Sequence, residues 1–200
     1  MTELSTQVTS RPPPQGVLLS TRACIARPTP SGGYEGIYLH FDGAPGDKLP
    51  LLLAARRWRF RGDLEAMQTH LIDSPTTGWE EIGTDLLDGV PPVLAAKITG
   101  GQQWPSVQLG DGIPVVTTDG STPQRDLITD ATADDWDIEW VYVLDADAIN
   151  VVHIPTGSRQ SVRWSADLLN PLGDQRPGRR QPAPSTTPPR PAHPRRSAAR

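Results

Sequence analysis

The run Tyr34-Glu35-Gly36-Ile37-Tyr38-Leu39-His40-Phe41-Asp42-Gly43 constrains this chain more than any other ten residues. Its aliphatic and aromatic residues alternate, and it ends in Asp-Gly, so it predicts a strand that stops at a turn. Alternate side chains of a strand face opposite sides of its sheet. Ile37, Leu39 and Phe41 then share a core face. Tyr34, Tyr38, His40 and Asp42 share the other, which faces solvent or a polar cover. Gly36 falls on that second face, where a missing side chain admits another backbone or a ligand.

Residues 21–27 alternate in the same way, and the Pro-, Ser- and Gly-rich run 28–33 joins them to this strand. Residues 21–42 therefore predict a β-hairpin. Two further β-prone runs, 140–144 and 149–154, flank the short polar turn 145–148 and predict a second hairpin over 139–154. Residues 161–164 add a short edge strand. Between the hairpins, 49–60 (LPLLLAARRWRF) reads as a helix with Pro50 in its first turn. Gly62 breaks that helix, and Asp63 caps another over 63–72 that buries Leu64, Met67 and Leu71. Residues 93–98 form a third short helix, stopped by Gly100-Gly101. Residues 101–135 show no sustained period, with irregular strands expected there, as at 115–117. The fold class is α+β: a small antiparallel sheet of two hairpins packed against two or three short helices.

Proline locates the ends of this domain. Of the 22 prolines, eight fall in residues 171–200, together with seven arginines, one acid and no large aliphatic residue beyond Leu172. Such a segment buries too little apolar surface to offset its chain entropy. We therefore expect a disordered leader over 1–16, a single domain over 17–170 and a disordered basic tail over 171–200. The tail leaves residues 1–170 acidic, with 22 Asp and Glu against 12 Lys and Arg. An unknown protein partner is the first expectation from this polarity, with nucleic acid bound through the tail as the alternative. Lysine is confined to Lys48 and Lys97. The lone Cys24 has no internal disulfide partner and reads as a buried thiol. The first residues lack a basic-then-apolar leader, and no run of 18 apolar residues occurs, so a cytoplasmic setting without membrane contact is expected.

His40 and Asp42 lie about 6.5–7 Å apart at the backbone, on one face of one strand. A carboxylate beside an imidazole suits catalysis or a metal. Zinc needs three or four ligands, and the further candidates His70, Asp73 and His153 follow no known spacing. The structural reading comes first: His40 bonds within the sheet, and Asp42 caps the turn through its side chain. The alternative is a metal-dependent hydrolase or nuclease built on the pair. Arg56, Arg57, Arg59 and Arg61, interleaved with Trp58 and Phe60, form the densest basic patch, suited to phosphate and base stacking. Tyr34 and Tyr38 are further candidate contact residues. Phosphate loops, dinucleotide fingerprints, zinc-protease and serine-hydrolase motifs are all missing, and no cofactor is expected.

The segments GYEGIYLHFDG, LPLLLAARRWRFRGDLEAMQTHLID, GW..IGTDLLDG and WVYVLDADAINVV, spanning roughly residues 22–154, resemble a group of conserved hypothetical actinobacterial proteins. That group is in turn similar to short phage and mobile-element proteins carrying an IYxHxDG segment. Ala44 stands where phage-type members move towards an aromatic. The resemblance implies a compact cytoplasmic protein of such origin, with a non-enzymatic binding or regulatory role open, and it transfers no catalytic residue.

Overall fold

The computed structural model describes residues 21–110 and 127–173. The expected leader, the strand at 115–117 and the tail beyond residue 173 lie outside the described residues. Among those described, eight strands form one sheet: β1 (Ala23–Pro28), β2 (Tyr34–Leu39), β3 (Trp79–Glu81), β4 (Val107–Gln108), β5 (Ile128–Thr129), β6 (Trp140–Leu144), β7 (Ala148–His153) and β8 (Ser158–Arg163). Their order is β4-β3-β2-β1-β6-β7-β8, with β5 paired to β2 beside that path.

Both predicted hairpins form, β1 with β2 and β6 with β7. They are joined by a parallel pairing, in register from Ala23 opposite Trp140 to Ala26 opposite Val143. β3 also runs parallel to β2. The α+β class stands, but the expected small antiparallel sheet is corrected to a larger, mixed one. At Gly36 a Cβ would lie 2.6 Å from the Ala26 backbone, so the missing side chain serves the close approach of β1.

The helices are α1 (Pro45–Arg57), α2 (Leu64–Gln68) and α3 (Pro92–Thr99). α1 starts earlier than predicted because Pro45 fits a first helical position. Pro50 therefore lies inside the helix rather than in its first turn, and Gly46 loses its carbonyl's helical donor. From Lys48 to Ala55 every residue of α1 is buried, so the helix is core on all sides. Asp63 caps α2 as predicted, accepting the Ala66 N–H at 3.0 Å. α2 then widens into a π-helical turn over Thr69–Asp73. Gly100 ends α3 with a positive φ.

Each face of the sheet has its own core. Ile25, Ile37, Leu39, Tyr142 and Leu144 pack with α1 and with Met67, Leu71 and Ile72. On the other face Cys24, Ala26, Tyr34 and Val141 are covered by Ile128, Ala133 and Ile138. An apolar layer thus covers the Tyr34 and Gly36 end of this face, correcting the solvent or polar cover expected there, while Tyr38 and His40 are half-buried and Asp42 is exposed. Burial pushes the Cys24 thiol far up, in keeping with an inert structural role.

Two ties fasten the loops. The buried Tyr142 hydroxyl donates to the Gly43 carbonyl at 2.6 Å, joining β6 to the turn after β2. Asp85, in the 3-10 turn Thr84–Leu87, accepts from Ser106 N–H at 2.7 Å, from its hydroxyl at 2.6 Å, and from Arg59 at 3.1 Å. Burial opposes the charged form of Asp85, but the Ser106 bonds and then Arg59 outweigh it and hold the carboxyl below its ordinary value.

Tyr142→Phe removes the donor and strands a buried carbonyl. We expect a loss of about 1–3 kcal/mol by urea unfolding with an unchanged m-value. For Asp85 the sign follows from its depressed folded pKa: it adds stability above the unfolded value near 3.9 and loses it as pH falls through the folded one. Asp85→Asn should melt about 2–4 °C lower than wild type at pH 7, roughly 1 kcal/mol for a partly exposed group. Thermal scans should show that gap closing below about pH 4.

Candidate functional site

The site is a corner of backbone. β2 ends at Leu39, but two more N–H groups stay tied to the β3 side, His40 to the Trp79 carbonyl and Phe41 to the Glu80 carbonyl, both at 2.9 Å. Asp42 then turns with a φ of 52°. Gly43 returns to β1, donating to the Thr21 carbonyl at 2.8 Å. A Cβ at Gly43 would come within 2.6 Å of the Ala23 side chain, so glycine is a steric requirement there.

Strand alternation stops where the strand stops. Phe41 consequently misses the core. It is 37% exposed, and its ring stands edge-on to His40 with centroids 4.4 Å apart. This corrects its assignment to the face of Ile37 and Leu39, both of which are buried. The Tyr38 hydroxyl and His40 Nδ1 lie 2.9 Å apart, a contact along the chain at the end of β2. Their rings are 5.8 Å apart, and Tyr38 in turn lies 5.9 Å from Trp136. Trp136, Tyr38, His40 and Phe41 thus form an aromatic ladder.

The Asp42 carboxylate makes no hydrogen bond among the described residues, so the side-chain cap expected of it is corrected as well. It lines a cavity of about 300 Å³ with Asp47, Lys48, Leu51, Gln102 and Trp104. Lys48 is 1% exposed. Burial lowers its pKa, opposed by Glu81, then Asp42, then Asp47. Burial raises the Glu81 carboxyl, with Lys48 pulling the other way. A wider groove of about 890 Å³ beside α3 shares Gln102 and Trp104 with this cavity.

The other sequence candidates are dispersed. His153 is stacked on Trp140, with centroids 4.3 Å apart, and its Nδ1 lies 2.7 Å from the Thr156 hydroxyl. Register places it three strand spacings from Leu39, about 14 Å, and so apart from His40. His70 sits between Phe60 and Trp79, its pKa lowered by burial and then by Arg59. Asp73 holds Arg27, which also binds Glu35. Among the described residues no group of three His, Cys, Asp or Glu is placed to hold a metal ion. His40, Asp42 and His153, raised as metal candidates only in the alternative reading, are not brought together among the described residues.

The basic patch is likewise broken up. Arg56 lies over the Trp164 ring at 5.2 Å, with Nε and Nη1 buried and without a hydrogen-bond partner among the described residues. Arg59 is bound to Asp85. Arg57 lies over Trp58, and Arg61 takes a left-handed turn conformation. Tyr34 is buried in the second core, its hydroxyl pushed up to about 12 by that burial. Sequence reasoning missed Lys48, Glu81, Trp104 and Trp136. A lysine opening the run LPLLLAA was the one visible sign. Among the described residues no helix is long and apolar enough to cross a membrane. The chain matches no protein-family model, and no curated protein or solved structure is significantly similar to it.

Proposed function

We propose that this chain is a non-enzymatic protein-binding module whose contact surface is the aromatic ladder at the corner. One observation supports this above others: Phe41 and Trp136 are 37% and 42% exposed, yet linked through Tyr38 and His40 by ring contacts of 5.9 Å or less. Scattered exposed apolar residues need no explanation, whereas a contiguous aromatic run fits a contact site. Aromatic anchors of this kind carry most of the energy at interfaces.

The rim suggests the partner's character. Asp134, Asp135 and Asp137 flank Trp136 and are exposed, with Asp137 bound to Arg22 at 2.8 Å. An arginine-bearing polypeptide segment satisfies both features, since guanidinium pairs with carboxylate and stacks on aromatic rings. The same acidic rim repels phosphate, which weighs against nucleic acid here. The likeness of residues 34–43 to the IYxHxDG segment of phage-type proteins, and a cytoplasmic setting, belong to the same proposal. On it, His40 and Asp42 serve the corner that presents Phe41.

The test is quantitative capture from extracts of the native host, with wild type and with Phe41→Ala/Trp136→Ala as bait. A bound protein should be lost at least tenfold by the double variant. Each single change should cost under about 1 kcal/mol of stability, since neither ring is enclosed. Capture that ignores both substitutions, or that depends on nucleic acid, overturns the reading.

A further inference from the structure

We infer that the cavity at the start of α1 binds a small zwitterion of the free α-amino-acid class, its carboxylate held by Lys48 and the helix N-terminus and its ammonium by Asp42 and Asp47. The inference goes beyond the contact surface above and stands on different residues.

Lys48 is the first observation. It is 1% exposed and lines the cavity, and no carboxylate among the described residues forms an ion pair with it. Its side chain is almost wholly buried, and Glu81, Asp42 and Asp47 act on it from a distance without contacting it directly, so the site favours an anionic group that can reach the ammonium from outside.

The helix end is the second. α1 has thirteen residues, and its N-cap, Ala44, supplies no side-chain acceptor. The N–H groups of Asp47 and Lys48 both turn back to the Ala44 carbonyl. Gly46 lines the cavity, and its N–H has no backbone acceptor among the described residues. An uncapped N-terminus favours negative charge.

The surrounding charges then select the ligand. A simple carboxylate would join Asp42 and Asp47 at the cavity and Glu81 nearby, all acting on the same lysine. A simple amine would leave Lys48 unpaired. A molecule carrying both charges answers both. At about 300 Å³ the cavity falls at the small end of ligand pockets, which run from about 300 to 1,000 Å³. One small molecule fits, with an apolar or aromatic side chain set against Leu51, Ile98 and Trp104.

The experiment titrates the full chain with each of the twenty free L-amino acids up to 10 mM at pH 7, by thermal shift and then calorimetry. At least one apolar or aromatic amino acid should raise the melting temperature saturably, by about 5 °C at a hundredfold excess over Kd. Its decarboxylated amine and its N-acetyl form should each bind at least tenfold more weakly. Lys48→Met and Asp42→Asn should each weaken binding by a similar factor. Should Lys48→Met fail to fold, Asp42→Asn and the two ligand analogues still decide. The inference is overturned if no amino acid shifts the melting temperature, if the amine or N-acetyl form binds equally well, or if Asp42→Asn leaves affinity unchanged.

Discussion

β1 is the strand on which the sheet depends. Its residues Ala23, Cys24, Ile25 and Ala26 are wholly buried, with antiparallel β2 on one side and parallel β6 on the other. Neither hairpin alone could cover both faces of β1. A lone two-stranded hairpin is marginal in water, and the β1–β6 pairing turns two of them into one sheet with two cores. That pairing closes a loop of more than a hundred residues, from β1 to β6. Closure entropy rises only slowly with loop length, so the intervening helices are tolerated. The small side chains of β1 matter as well. They let Gly36 and Gly43 approach at distances a larger residue would forbid.

What was legible in the sequence follows the range of the interactions. Both hairpins were legible because their period and turns are local. Asp63 was legible as a cap for the same reason. The parallel seam between β1 and β6 was not, because nothing local marks one strand as the partner of another so distant. β3 was missed too, being three residues long and fixed by its neighbours rather than by its own period. The second core was misjudged because its cover comes from Ile128 and Ala133, inside a stretch with no regular pattern, and from Ile138 just beyond it.

The site shows the same limit more sharply. The spacing of His40 and Asp42 on one strand was legible, and it suggested that the two act together. The backbone separates them. His40 keeps the strand's second face and bonds Tyr38, while the left-handed turn at Asp42 carries its carboxylate to the mouth of the α1 cavity. The alternation rule fails at Phe41 and Asp42 because it presupposes extended backbone, which ends two residues earlier. Lys48 was invisible as a site residue because its neighbours Glu81 and Trp104 arrive from later parts of the chain.

The exposure of Phe41 is not an accident of chain reversal. Its N–H is fixed to Glu80 and its ring is held against His40. The next residue occupies a left-handed conformation, which costs a non-glycine residue of order 1 kcal/mol even when an aspartate bears it best. Two further ties, Gly43 to Thr21 and Tyr142 to Gly43, hold the same turn. Ile37 and Leu39 already fill β2's share of the main core, so packing does not require a phenylalanine here. A turn so firmly held leaves an aromatic ring on one side and a carboxylate on the other, each on rigid backbone. That is a suitable foundation for contact surfaces, because little side-chain or loop entropy remains to be lost when a partner or ligand arrives.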